Sequence, residues 1–236
     1  MSAKLSSIQT HSSDFWLARA AVVVVVVLQL TIASSLSFGG RWLAPSLELA
    51  LLIPLSAATA WTQVKVGKAT HDHHWLAIAK QRRLIRTAAI ILTALITVMN
   101  CGSLVQLLAA LLDGAAKTNG HTLLLDAVNL WSTNVIAFTL WFWSMDRGGP
   151  ASRGIARKEV DDFLFPQMTF GNADGAQKWS PGFIDYMFLS FTNATAFSPT
   201  DTLPLTPRAK LLMMAQSGIS LLTIALVAAR AVNILN

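Results

Sequence analysis

Charge is scarce in this chain. Of 236 residues, 13% are charged and 53% are hydrophobic. An average soluble domain is about a quarter charged, so an ordinary soluble enzyme and a disordered chain both fit badly. Cysteine is almost absent. The single Cys101 lies in an apolar run, so an intrachain disulfide and any CxxC-type metal or redox site are ruled out. Acids are few, and adjacent carboxylates occur only at Asp161-Asp162, in a charged loop. No HExxH, GxSxG, P-loop or Rossmann fingerprint occurs. An enzyme is therefore not expected, and no cofactor is called for. No internal repeat of about 20–50 residues marks a solenoid or propeller.

Long apolar runs are what the chain does have. At about 30–45 residues per span and loop, its length holds roughly five or six spanning helices and no large soluble domain. The first run covers residues 15–36 and is all valine over 22–27. A signal peptide is the competing reading, since Lys4 and Arg19 precede the apolar stretch and Ala33-Ser34-Ser35 follow it. The run is long for such a leader, which favours a spanning helix. A second helix is predicted over 42–61, with Pro45 and Pro54 tolerated as they are in membrane helices. A third is predicted over 84–112, a fourth over 123–145 and a last over 209–235. The last run ends one residue before Asn236, so no C-terminal regulatory domain is expected.

The net charge of +6 is concentrated. The 63–86 connection carries Lys65, Lys68, Lys80, Arg82, Arg83 and Arg86 against Asp72 alone, a local balance of +5. The positive-inside rule places this loop, and with it the N-terminus, in the cytoplasm of a multi-pass cell-membrane protein. The basic residues flank apolar spans, so nucleic acid is not an expected partner; the lipid bilayer is. Within the loop, His71 and His74 are weak candidates for a metal site, and a solvated juxtamembrane loop is the simpler reading. Trp42, Trp61, Trp75, Trp141, Trp143 and Trp179 lie near predicted helix ends and are expected as interfacial anchors. Polar residues inside spans are functional candidates by default. Glu48 is the one acid well within the second helix, and Asn100, Gln106, Asn129, Asn134 and Gln216 lie near mid-span. Interhelical hydrogen bonding is the competing account of all of them.

Residues 183–235 differ from the rest. Residues 183–191 are aromatic, apolar and too short to span. A polar, helix-breaking stretch over 192–202 follows, then Pro204 and Pro207, then a full-length helix. A short helix, an irregular polar stretch and a spanning helix make the pattern of a re-entrant pore loop, because irregular backbone survives at membrane depth only inside protein or along a wet cavity.

The residues Asp185-Tyr186-Met187-Phe188-Leu189-Ser190-Phe191-Thr192, with Asp201, Pro204, Thr206-Pro207 and Lys210-Leu211-Leu212, resemble the pore module of two-helix potassium channels. The whole chain also resembles a group of bacterial membrane proteins with five predicted spans. The resemblance implies a pore helix leading into a selectivity filter, and a homo-oligomer, most simply a tetramer, around the last helix. The filter register falls on Thr195, Ala196, Phe197, Ser198, Pro199, Thr200 and Asp201. Both family glycines are replaced, by Ser198 and Thr200, and the aromatic between them by Pro199. A stack of inward carbonyls needs backbone angles that Gly adopts cheaply and β-branched Thr does not. Side chains are therefore expected to line the constriction, from Thr192, Asn193, Thr195, Ser198, Thr200 and Thr202, with an Asp201 ring at one mouth.

Gln216 and Ser220 are expected to line the pore on the last helix. The implied activity is weakly selective passage of monovalent cations, with permeant ions as partners. Helices 1–3 lack the regular arginine spacing of a voltage sensor. Charge counting puts 147–178 inside, so the loop enters from the cytoplasmic side, unless a half-span between Arg147 and Pro181 reverses it. The expected fold is all-α, with five transmembrane helices plus a re-entrant pore helix. A three-helix region over 1–113 precedes a pore-like module over 114–236. The alternative is a non-conducting, channel-like membrane scaffold; a transporter with paired broken helices is a third reading.

Overall fold

The computed structural model describes residues 12–31, 42–43, 45–50, 53, 72–112, 120–150, 161–169, 179–195 and 201–235. These are mostly helical. The helices are α1 (Ser12–Thr31), α2 (Asp72–Leu112), α3 (Gly120–Met145), α4 (Phe183–Thr195) and α5 (Pro207–Leu235). Residues 45–50 are helical as well. Four of the helices, α1, α2, α3 and α5, are long and apolar enough to cross a membrane. That is the frame of an all-α, multi-pass membrane protein.

Two boundaries differ from expectation. α2 begins at Asp72, twelve residues before the predicted start at Leu84, and takes in much of the basic connection. Residues 72–86 contain neither Gly nor Pro and are rich in Ala, Leu, Lys, Gln and Arg. Such a sequence keeps a helix going after it leaves an apolar environment. The 41 residues of α2 make a rod of about 60 Å, twice the bilayer core of about 30 Å. α4 is one turn longer than the predicted 183–191, since no Gly or Pro interrupts the chain before Pro199. Thr192, Asn193 and Thr195, expected in irregular backbone, are therefore helical.

α3 is the axis of the bundle. The edge contact of Phe15 with Trp143 and the bond from Asn129 Nδ2 to Thr31 Oγ1 at 2.9 Å set α1 antiparallel to it. Trp141 Nε1 donates to Thr97 Oγ1 at 3.0 Å, while Leu104 and Leu107 pack with Leu123, Ala127 and Leu130. These contacts make α2 antiparallel to α3 as well. α5 runs the same way, with Asn134 bonded to Ser220 and Leu226 packed onto the Leu123 cluster. α1, α2 and α5 thus start at one end of the bundle, called here the near end, where α3 finishes. Of the apolar window of α3, 61% is buried, against 17% for α5. The first is a core helix and the second is covered on one side only.

The near end is closed by aromatic packing. Phe163 meets Phe142 and Tyr186 edge-on, Phe165 meets Tyr186, and Trp143 meets Phe183. Trp143 is thus packed inside the protein and is not an interfacial anchor, while Trp141 is partly buried against the same core. Phe163 and Phe165 are buried as well. The reason is geometric. Phe163 and Leu164 form strand β1, which pairs antiparallel with β2 (Leu203–Pro204) and drops Phe163 into the core. The chain reaches this ribbon through a tight left-handed turn, with Arg147 at φ 52°, Gly148 at φ 73° and Gly149 at φ 85°. A Cβ on Gly149 would lie 2.6 Å from the Ser144 carbonyl oxygen, so only Gly fits there.

Candidate functional site

α4 is a half-length helix. Its 13 residues reach about 20 Å, short of a bilayer core of about 30 Å. Its first turn is held at the near end by carboxylates. Gly182 N donates to Asp185 Oδ2 at 2.7 Å, and Asp185 N returns a bond to Gly182 O at 3.2 Å. Phe183 N donates to Asp14 Oδ1, in the first turn of α1, at 3.2 Å. Helix starts leave backbone N–H groups unpaired and favour negative charge. Here two acids from different elements meet that need.

One turn further on, the Tyr186 hydroxyl donates to Asp146 Oδ2. Asp146 Oδ1 accepts from Asp162 N at 2.8 Å, and both aspartates are fully buried. Asp162 in turn receives Arg208 in the bidentate manner, Nε to Oδ1 and Nη2 to Oδ2, each at 2.7 Å. Thr206 also donates to Asp162 Oδ1, and Leu205 N donates to Asp162 O at 2.8 Å. The chain at 203–208 is thereby pinned to the level where α3 ends and α4 begins.

The far end of α4 lies much deeper. Asn193 Nδ2 donates to Gln216 Oε1 at 2.8 Å and to Met213 O at 3.0 Å. Gln216 Nε2 donates to Ser190 Oγ at 2.7 Å and Ser190 O at 2.8 Å, and Ser190 Oγ donates to Val135 O on α3 at 2.6 Å. Ser217 Oγ donates to Asn193 O at 3.2 Å. Asn134 Nδ2 donates to Ser220 Oγ at 2.9 Å, one turn beyond Gln216. Gln216 lies nine residues past Pro207, about 14 Å along α5 and near half the thickness of a bilayer core. Trp131 and Phe191 meet edge-on beside this junction.

The predicted site residues divide into three groups. Asn193, Gln216 and Ser220 come together at the α3–α4–α5 junction. Gln216 and Ser220 are buried against helices of the same chain. Thr192 and Thr195 hydroxyls bond back to their own helix, at Phe188 O and Thr192 O, both at 2.9 Å. Asp201 is exposed at the near end, beside the ribbon. Ala196, Phe197, Ser198, Pro199 and Thr200 lie outside the described residues, as does His71; His74 falls in the first turn of α2. Sequence reasoning assigned no place in a site to Asp14, Asp146, Asp162 or Arg208. Asp162 and Arg208 are separated by 46 residues, and no spacing rule connects them. A buried-acid signal does exist, since each of the three aspartates borders an apolar or aromatic run. No protein-family model, curated protein or solved structure matches this chain.

Proposed function

We propose that the chain is an oligomeric pore-loop channel for monovalent cations, weakly selective, in a cell membrane. The observation that carries this reading is the path of the chain around α4. α4 starts level with the end of α3 and descends to Met213 and Gln216 of α5. By Leu203 the chain is back at the starting level, paired with β1. A descent to half depth followed by a return to the same side is a re-entrant segment. Irregular backbone at membrane depth requires cover from protein or from a wet cavity.

The reading takes five crossings. α1 and α2 run parallel, which one further crossing between them would account for, and the helical residues 45–50 fall in that part of the sequence. Arg86, Arg147, Arg208 and Lys210 gather at the near end, which supports a cytoplasmic side for it, together with the N-terminus and residues 63–86. The loop then enters from inside. α4 exposes Ile184, Met187, Phe188 and Phe191, while α5 exposes Leu211, Met214 and Leu221. These faces suit contact between copies, and a ring of four is what the channel resemblance implies. Asn193, Gln216 and Ser220 serve as the struts that hold the pore helix. The lining then falls to residues 196–201, with Asp201 at the cytoplasmic mouth.

The satisfied Asn193–Gln216–Ser190 network also favours a second reading, a channel-like scaffold that does not conduct. Purified protein in liposomes separates the two. Cation flux from a species with the mass of a multimer supports the channel. Absence of flux from a monomeric species supports the scaffold.

A further inference from the structure

A second polar contact inside the apolar part of the molecule lies apart from α4. Glu48, on the helical stretch 45–50, is fully buried, and Gln29, in the last turns of α1, is nearly so. Gln29 Nε2 donates to Glu48 Oε1 at 2.8 Å. That bond leaves two buried oxygens, Gln29 Oε1 and Glu48 Oε2, each an acceptor and neither with a hydrogen-bond partner among the described residues.

Among the described residues, α1, α2 and α3 offer no cation toward this end. α1 carries no Lys or Arg after Arg19, α2 none after Arg86, and α3 none over its whole length. The titratable groups of α3 toward this end are Asp126 and His121. Asp126 is buried and lies one turn before Asn129, whose amide bonds to Thr31 of α1 at 2.9 Å. An isolated carboxylate in an apolar interior is strongly disfavoured against its neutral acid. A metal cation such as sodium or calcium requires a cage of several oxygens, whereas this pair leaves two. One proton needs only two. An O–H on Glu48 Oε2 donating to Gln29 Oε1 would supply the missing donor. It would close an acid–amide ring with two hydrogen bonds.

We propose that Glu48 is a proton-binding site within the membrane region, with Gln29 as its hydrogen-bonding partner. The proton is held as a neutral carboxylic acid. Its release leaves a carboxylate facing an amide oxygen and weakens the contact between α1 and residues 45–50. This inference does not depend on the pore reading, since it draws on no residue of α4 or α5.

The test uses the full chain in liposomes and dicyclohexylcarbodiimide, a lipid-soluble reagent that couples to protonated carboxyl groups. The expected result is an adduct on Glu48 at neutral pH, read by peptide mass spectrometry, with labelling falling about tenfold per pH unit above its midpoint. Infrared difference spectra between the native chain and E48Q should show a carboxylic-acid carbonyl band. In Q29L that band should move to higher frequency, because Oε1 loses its N–H donor. An unlabelled Glu48, or carboxylate bands in place of the acid band, overturns the proton site. An acid band unmoved in Q29L overturns the pairing. The labelling arm needs no variant, so a folding failure of E48Q leaves the proposal testable.

Discussion

The Tyr186 hydroxyl is bonded to the Asp146 carboxylate across 40 residues of chain, with both side chains fully buried. This contact joins the last residue before the left-handed turn to the first turn of the half-length helix. Asp146 also accepts the backbone N–H of Asp162. One carboxylate therefore sets the relative positions of α3, α4 and the β1–β2 ribbon.

Removing the phenol oxygen tests that role. Tyr186→Phe keeps the ring packing against Phe163 and Phe165 but takes a donor from a buried acid. Leaving a buried acceptor short of its partner costs about 1–3 kcal/mol. The expected outcome is a lower unfolding midpoint in detergent, with unchanged helix content by circular dichroism. A midpoint equal to that of the native chain would show that Asp146 does not depend on the phenol.

Asp162 and Arg208 make a graded prediction. Arg208→Lys keeps the charge but loses the two-pronged geometry, which an ammonium cannot copy. Arg208→Ala leaves the buried Asp162 with its remaining donors only, at a cost of about 1–3 kcal/mol. Backbone exchange is the informative readout, because Leu205 N donates to Asp162 O. Exchange at Leu205 should be slowest in the native chain, faster in Arg208→Lys and fastest in Arg208→Ala. Equal rates in all three would detach the ribbon from the ion pair.

The mid-depth network calls for a double-mutant cycle. Gln216→Leu strands Ser190 and Asn193, and Asn193→Leu strands Gln216 Oε1. Each single change should lower stability by about 1–2 kcal/mol, somewhat above the average of about 0.6 kcal/mol for membrane hydrogen bonds. The pair together should cost less than the sum, since a vacated polar junction filled by two leucines has fewer unpaired groups. Strict additivity in thermal or denaturant unfolding would mean that the two side chains do not act on each other.

Much of this architecture is legible in the residues. Long apolar runs without charge announce the spanning helices, because no other pattern buries backbone polar groups in lipid. The brevity of 183–191 and the prolines at 204 and 207 mark a short helix followed by a new start. What stays hidden is tertiary. Thr192 and Asn193 read as helix-breaking, yet their side chains find partners on α4 and α5 that outweigh weak helix propensity. Trp143 reads as an interfacial anchor by its place near a helix end. Its inward packing depends on Phe15 and Phe183, which arrive from 128 residues before and 40 residues after it. The Asp162–Arg208 pair is invisible for the same reason.

Glycine positions separate a fold requirement from an open surface. Gly149 has φ 85°, and a Cβ there would meet the Ser144 carbonyl oxygen at 2.6 Å. Gly149→Ala should therefore destabilise by more than about 1 kcal/mol. At Gly218 nothing lies within 4 Å of an added Cβ. Gly218→Ala should leave the single chain as stable or stabilise α5 by up to about 1 kcal/mol. If α5 forms the contact between copies, the same methyl enters that interface and should shift the mass distribution in detergent toward smaller species. An unchanged distribution would remove Gly218 from the interface.

On the proposed channel reading, the charge at Asp201 bears most directly on function. It is exposed and stands next to the ribbon that fixes the return of the chain to the near end. A ring of such carboxylates concentrates cations by a field that weakens with salt, with a Debye length of about 10 Å at 0.1 M. Asp201→Asn should preserve the fold, since the side chain is at the surface. In liposomes or bilayers under a salt gradient, the reversal potential should move toward zero as cation preference falls. The shift should be larger at low ionic strength and shrink as salt is added. A reversal potential equal to that of the native chain at every salt concentration would take Asp201 out of the conduction path. Cation preference would then rest with residues 196–200.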